Sequence, residues 1–458
     1  MNLLGKMVTH KIYGSGKVTK IQRGGYYVRV SFQNGSDKWL RYNEIIEIKE
    51  NIPQKSVEKV TQSINILPTK TATADTKYGD TEVYKKLNLD DPFVCRRMIE
   101  AFRLGIVPYD CIDKFTFGRD NEIKAINNWI GKGNTNNLFL FGSYGSGKTH
   151  LLQYLAYYYL NQGYATAFIT IDNQESPFQK PKRIFSKLAH SFKYMCRKTQ
   201  DILSFRDFVL NSLEVGGLSD HRYFNYLQRC DDELLWGWIE CNESYTKPLK
   251  WVYNDLGYKV DRFKYLPSLF DYGTAANVYC NLISGLGYSA IKYMGLKGLV
   301  VFFDEGESIN HIRGVNFLKS LTYVTNNIKE LTEQPYYSNI NYNMGLTYAL
   351  RAKDIPFIYK IPSGLKCIYA FTDDILIQNN KSLGSFDQID LTNLSDITLK
   401  NIQRQLCELY TKAYRIPISP QGISKLLDNF NNNNSNSTRS SIKTIVEFLD
   451  ISRYNQIH

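Results

Sequence analysis

The hydrophobic pattern divides the chain into three regimes. Over residues 1–50 apolar and polar positions alternate in short segments: Met7–His10, Gly16–Gln22, Tyr26–Phe32, Asp37–Arg41 and Ile45–Ile48. Alternation places every second side chain on one face of a strand. Gly24-Gly25 and Asn34-Gly35 supply hairpin turns, since both residue types tolerate positive φ. Five short strands with tight turns predict a small all-β barrel. Over 51–85 the periodicity disappears into a polar stretch rich in Thr, Lys and Asp, which predicts a flexible linker.

From residue 86 the pattern alternates between helix and buried strand. "DDPFVCRRMIEAFRLGIVP" is amphipathic, with Asp90 and Asp91 placed to cap a helix and Pro108 to end it. A second helix is predicted over Arg119–Ile130. Continuous apolar runs at Leu138–Phe141, Ala165–Ile171, 298–303 and 365–371 read as fully buried strands of a parallel sheet. Residues 180–290 read as mostly helical and rich in aromatics, including Trp236, Trp238 and Trp251, which are expected to fill a core more than to stack on bases. The stretch 385–458 reads as helical, interrupted at 431–437 by "NNNNSNS", an expected mobile loop. The fold class is therefore α/β: a parallel sheet with helices, preceded by a small all-β module.

Length and composition narrow the picture. With 458 residues and 43% hydrophobic content, the chain has material for two or three domains. No apolar run approaches the ~18 residues that would span a bilayer. The first residues lack the apolar core of a secretory signal, so the chain is expected in the cytoplasm with no membrane role. Eight cysteines stand at 95, 111, 196, 230, 241, 280, 367 and 407 without C-x-x-C pairs, and read as small buried hydrophobes. The net charge of +12 favours an anionic partner such as nucleic acid, though the charge is dispersed.

The chemistry begins at "FLFGSYGSGKTHLLQYLAYYYL". A strand leads into Gly142-Ser143-Tyr144-Gly145-Ser146-Gly147-Lys148-Thr149 and a helix follows, starting with His150. This is the context in which G-x-x-x-x-G-K-[ST] cradles phosphates. The glycines let the backbone curl so that its N–H groups face the ligand, and the helix N-terminus adds its positive end. Lys148 is expected on the β- and γ-phosphates, and Thr149 on Mg²⁺. A second acidic half is expected at the end of another buried strand. "LVVFFDE" supplies Asp304 for the metal and Glu305 to orient or deprotonate the attacking water. Glu307 stands where a GTPase D-x-x-G would need glycine, and N-K-x-D is absent. ATP and Mg²⁺ are the expected cofactors.

These motifs, with "FGRDNEIKAINNWI" and the strand "CIYAFTDD", resemble an AAA+ ATPase core of the origin-recognition type. A narrower resemblance is carried by "RRMIEAFRLGIVPYDCIDKFTFGRDNEI", "GSYGSGKTHLLQYLA", "GLVVFFDEGES" and "TRSSIKTIVEFLD" in that order. Together, over about residues 90–458, they look like the BREX-system ATP-binding proteins of phage defence. The resemblance implies a division into a core at 86–180 and 291–384, an insertion at 181–290 and a helical lid at 385–458. It implies that Gly118 and Arg119 begin the segment covering adenine and ribose. Thr372 would polarise the γ-phosphate or water, and Arg439 would read the γ-phosphate from the lid. It also implies self-association through the ATPase core, with a neighbour's arginine completing the site; Arg351 and Arg404 are the candidates.

Residues 1–50 are similar to small Tudor/SH3-like modules, on the Tyr13-Gly14-Ser15-Gly16 turn and the Val28–Phe32 strand. Such modules bind proteins and sometimes nucleic acid, and basic residues such as Lys11, Lys17, Lys20 and Arg29 fit either. Two functions stay open. One is an ATP-hydrolysing component of a defence complex acting on DNA or DNA-bound partners. The other is an ATP-gated scaffold with slow hydrolysis that recruits partners through the N-terminal barrel.

Overall fold

The computed structural model describes residues 7–10, 14–21, 27–32, 37–41, 45–47, 89–106, 109–132, 135–197, 199–228, 233–242, 266–271, 275–311, 316–326, 355–372, 386–416 and 437–457. The expected linker at 51–85, Trp251, Arg351, Pro108, Cys230 and the asparagine tract up to residue 436 lie outside the described residues. The chain forms two compact units, Met1–Asp75 and Thr76–His458.

The first unit is a five-stranded antiparallel sheet: β1 (Met7–His10), β2 (Gly14–Ile21), β3 (Tyr27–Phe32), β4 (Asp37–Arg41) and β5 (Ile45–Glu47). Its order is β4-β3-β2-β1-β5, so the last strand returns to pair with the first. Val8, Val18, Val30 and Phe32 form the buried side, as the alternating pattern requires. An irregularity between Val18 and Lys20 shifts the β2–β3 register.

The second unit opens with α1 (Pro92–Arg103). The Asp91 side chain accepts the Phe93 N–H at 2.9 Å and caps it. The helix ends at Gly105, which takes φ +70 directly after the C-cap Leu104, and so three residues before Pro108. A 3₁₀ segment (Tyr109–Phe115) and α2 (Asp120–Lys132) follow. Then come β6 (Asn137–Gly142), α3 (Lys148–Asn161), β7 (Ala165–Thr170) and α4 (Pro181–Ser191). The chain continues with β8 (Lys193–Met195), β9 (Ile202–Ser204), α5 (Phe205–Glu214), α6 (Glu233–Ile239) and α7 (Ala276–Lys292). It closes with β10 (Leu299–Asp304), α8 (Asn316–Asn326), β11 (Leu365–Phe371), β12 (Asp387–Leu391), α9 (Asp396–Tyr414) and α10 (Thr438–Ile457).

Seven strands make one mostly parallel sheet in the order β12-β6-β11-β10-β7-β8-β9; β8 alone is reversed, and its pairings with β7 and β9 are the antiparallel ones. The central strands β6 and β10 are buried along their whole length, which is why they read as unbroken apolar runs. Successive residues feed opposite cores. Phe139, Phe141, Val301, Phe303, Tyr369 and Phe371 pack toward α4, α5, α7 and α8. Leu138, Leu140, Val300, Phe302, Ile368 and Ala370 pack toward α2 and α3. The result is a helix–sheet–helix sandwich compatible with a P-loop fold.

A third core is purely helical. Met98, Ile99 and Phe102 of α1 meet Leu406, Cys407 and Tyr410 of α9 and Ile445, Val446 and Leu449 of α10. Arg103 clamps Asp450 with Nη2 at 2.8 Å and Nε at 3.1 Å, and Tyr410 donates to the same carboxylate at 2.6 Å.

Two expectations need correction. The stretch 385–458 is not wholly helical, because β12 pairs in parallel with β6 and widens the sheet. The stretch 180–290 carries the strands β8 and β9, and its helices share the core on one face of the sheet instead of forming a separate helical body. Trp236 and Trp238 are buried in that core. Cysteines 95, 111, 241, 280, 367 and 407 are buried too.

Candidate nucleotide site

The glycine-rich turn leaves the C-terminal end of β6 and enters α3. Gly147, the residue before the helix, has φ +100, and no side chain caps the helix there. A residue with a Cβ is strained in that left-handed conformation, so glycine is required for the backbone to curl. Gly145 has φ +79, and a Cβ there would lie 2.6 Å from Ser437; the start of α10 therefore packs directly on the turn. The Arg439 backbone N–H donates to the Gly145 carbonyl at 3.3 Å. Lys148 is buried, and its ammonium donates to the Gly142 carbonyl at 2.6 Å and the Ser143 carbonyl at 3.2 Å. It is thus a buried cation held on loop carbonyls at the mouth of an uncapped helix N-terminus, which suits an anion. Tyr144 at the turn's apex is exposed.

The acidic half arrives from the next strand but one. β11 pairs with both β6 and β10, so Thr372, directly after β11, stands between the end of the glycine-rich strand and the end of the acidic strand. Asp304 closes β10 and is 3% exposed. The Thr149 hydroxyl lies near enough to its carboxylate to lower its pKa, although the two residues are 155 positions apart in the chain (304 less 149). Burial pushes the Asp304 carboxyl up to about 6. The Thr149 hydroxyl and the Glu305 N–H pull it down, and the charges of Glu305 and Glu307 add to the rise. Glu305 follows with φ +55 and is exposed, which turns its side chain out of the strand.

The fit to a divalent ion can be judged from these groups. Among the described residues no cluster of three His, Cys, Asp or Glu side chains is arranged to hold a metal. A hydroxyl beside a buried carboxylate, with two further carboxylates close by, instead suits an ion that takes most of its ligands from phosphate and water. Such an ion would also relieve the crowding that raises Asp304.

Arg119 stands at the start of the segment expected to cover adenine and ribose. Its guanidinium is buried behind the turn. It donates to the Ser146 carbonyl at 2.6 Å, the Thr392 carbonyl at 2.8 Å and Glu122 Oε1 at 2.9 Å. It therefore braces the glycine-rich turn against the junction of β12 and α9. Gly118 sits where a Cβ would run into Thr398 of α9. His150, in the first turn of α3, has Nε2 2.9 Å from Thr116 Oγ1. Thr116 donates to the Ile112 carbonyl at 2.7 Å, so the imidazole is the donor to Thr116. Burial, helped by the Arg119 charge, lowers the His150 pKa to about 4, and the ring is neutral at ordinary pH.

The lid-borne arginine behaves differently. Arg439 is exposed, and its guanidinium rests on the Leu104 carbonyl at 3.4 Å. Arg404 is exposed on α9, away from the turn in sequence. Two features escaped the sequence reading: the bracing of Ser146 by Arg119, and the seating of Ser437 on Gly145. Neither leaves a sequence signal, because both partners are backbone atoms. Thr116, the partner of His150, left none either.

Comparison with known families bears on this site. The family model described as BREX system ATP-binding protein BrxC/D matches residues 93–203, which include α1, the glycine-rich turn, α3 and β7. The resemblance drawn from the motifs holds over that segment, and the matched family is one of BREX-system ATP-binding proteins. No curated protein matches the chain. No described helix is long and apolar enough to cross a membrane.

Proposed function

We propose that this chain, matching the BREX ATP-binding proteins over residues 93–203, is an AAA+-type ATPase of a phage-defence complex that couples Mg²⁺-dependent ATP hydrolysis to DNA or DNA-bound partners. One observation carries the reading: Thr149 and Asp304, from two distant parts of the chain, come together beside the buried Lys148. In this reading Lys148 and the N–H groups of 145–149 hold the β- and γ-phosphates. Thr149 and Asp304 hold the Mg²⁺, which supplies charge neutralisation at the phosphates when bound. Glu305 takes a proton from the attacking water, and Thr372 orients it from between the two strands. Arg439 reaches the γ-phosphate from α10. A second copy would supply the remaining arginine. The N-terminal sheet, read as a Tudor/SH3-like module, would dock partners.

The test is steady-state phosphate release from ATP and Mg²⁺ by the wild type and Glu305→Gln, with nucleotide binding measured in parallel. A catalytic base contributes about 10²–10⁴-fold, so Glu305→Gln should bind ATP normally and lose at least ~100-fold in turnover. An undiminished rate in Glu305→Gln would remove Glu305 from that role.

A further inference from the structure

The outer face of α4 is basic and borders a cavity. Pro181, Ile184, Phe185, Leu188 and Ala189 are buried, which leaves Arg183, Lys187 and His190 together on the opposite face at spacings of four and three. This is the helical repeat. These three side chains line a cavity of about 590 Å³ together with Gln174, Glu175, Ser186 and Cys241. Lys182 contributes its charge toward Cys241 as well. The one carboxylate among the described lining residues, Glu175, pairs with Lys187 at 2.8 Å, but both are well exposed, at 72% and 48%. An exposed pair of this kind holds by at most ~1 kcal/mol, so a phosphate can take the place of Glu175.

The cavity lies at the same edge of the sheet as the nucleotide site. The Ile171 N–H donates to the Asp304 carbonyl at 2.9 Å. In the next turn, Asp172 accepts from the N–H groups of Gln174 and Glu175 at 2.7 Å each. Arg183 donates to the Gln174 carbonyl at 2.8 Å. A short, hydrogen-bonded stretch of chain therefore links the basic face to the acidic strand.

We infer that the Arg183–Lys187–His190 face of α4 binds the phosphate backbone of nucleic acid. The face runs about 10 Å along the helix axis, at ~1.5 Å per residue. That is the rise of about three nucleotides of one strand at ~3.4 Å each. Among the described residues the cavity lining offers donors and charge but no aromatic ring on which a base could stack, so contact is to the backbone and independent of base sequence. The inference rests on the DNA-directed part of the proposed function and names the surface that would serve it.

The experiment is fluorescence anisotropy of a labelled duplex of about 20 base pairs, titrated with the full chain across a series of salt concentrations. Arg183→Gln/Lys187→Gln should weaken binding ~10-fold or more at low salt, and should lower the slope of log affinity against log salt by about 2. The single variant Lys187→Gln, which removes only an exposed side chain and so leaves folding intact, should lower the slope by about 1. Lys124→Gln, an exposed lysine on α2, should change neither. Unchanged slopes in both α4 variants, or an equal loss in Lys124→Gln, overturn the inference. No duplex binding by the wild type at low salt overturns it together with the DNA-directed part of the function. Binding of a fluorescent ATP analogue in the same preparations shows whether the nucleotide site is intact in each case.

Discussion

Two arginines flank the glycine-rich turn, and they are held in opposite ways. Arg119 comes from the sheet side. It is 5% exposed and bonded to two backbone carbonyls and Glu122. Arg439 comes from the helical bundle of α1, α9 and α10; it is exposed and rests on one carbonyl at 3.4 Å. The first is locked before any ligand arrives, and the second is held by a contact that water can replace. The sheet thus presets the glycine-rich turn, while the helical bundle supplies an arginine held by a single weak hydrogen bond. Both are tied to the turn through the backbone: Arg119 through the Ser146 carbonyl, Arg439 through its own N–H on Gly145.

The largest expected effect comes from cutting the locked arginine. Arg119→Ala leaves the Ser146 and Thr392 carbonyls and the half-buried Glu122 without their guanidinium. Loss of one partner of such a buried charge network typically costs about 3–5 kcal/mol. Chemical denaturation should show a loss of that order, with weakened ATP binding as a consequence. A loss below ~1 kcal/mol would mean that the turn does not depend on the brace.

Lys148→Ala should come next. It removes the buried ammonium but leaves the turn's backbone in place. A charged hydrogen bond contributes about 1.5–3 kcal/mol, so ATP affinity should fall by ~10–150-fold with the melting temperature little changed. Isothermal titration with ATP and Mg²⁺ reads this directly. Affinity within threefold of wild type would contradict the placing of Lys148 on the phosphates.

Asp304→Asn tests the electrostatics on the acidic side. The folded protein raises this carboxyl from 3.8 to about 6. A raised carboxyl favours folding below pH 3.8, and that contribution is lost as the pH rises through 6. At pH 7.5 the whole penalty is present. About two pKa units at ~1.4 kcal/mol each give up to ~3 kcal/mol. Asparagine carries no charge, so without nucleotide the variant should melt higher than wild type at pH 7.5, and the gain should vanish near pH 4. His150 has the opposite sign. Held neutral with its pKa lowered from 6.5 to about 4, it supports the fold above pH 6.5 and loses that support as the pH falls through 4. A melting temperature for Asp304→Asn equal to or below wild type at pH 7.5 would show that the carboxylate is not under strain.

The parts of the site that the sequence makes legible are those where chemistry constrains neighbouring residues. The turn needs glycines at fixed positions for its backbone, and the central strands must be apolar on both faces, so β6, β10 and β11 stand out. Asp304 and Glu305 are visible because a buried run ends abruptly in charge. What stayed hidden depends on partners distant in the chain. β12 is an edge strand with only Leu391 deeply buried, and its polar positions merge with the polar loops around it. β8 and β9 have three residues each, too few for a period. The packing of α1 with α9 and α10 joins residues some 300 positions apart, so α1 reads as part of the first core segment instead. Pro108 is a conspicuous helix breaker, but Gly105 ends α1 first because a left-handed residue satisfies the last carbonyls.

The smallest effect, and the sharpest test of the contrast, is Arg439→Ala. The side chain is exposed and makes one long hydrogen bond, so its removal should change unfolding free energy by less than ~0.5 kcal/mol. The bond from its N–H to Gly145 belongs to the backbone and survives the substitution. If the guanidinium moves from the Leu104 carbonyl to a γ-phosphate, the loss should fall on ATP and spare ADP. A partly exposed charged contact is worth about 1 kcal/mol, so the preference for ATP over ADP should shrink by about 5-fold while ADP affinity stays the same. Parallel titrations with ATP, ADP and a non-hydrolysable ATP analogue separate these terms. An equal loss for ATP and ADP would place Arg439 on the nucleotide's common part. No loss for either would leave it a surface arginine, and the contact of α10 with the turn would then act through the backbone alone.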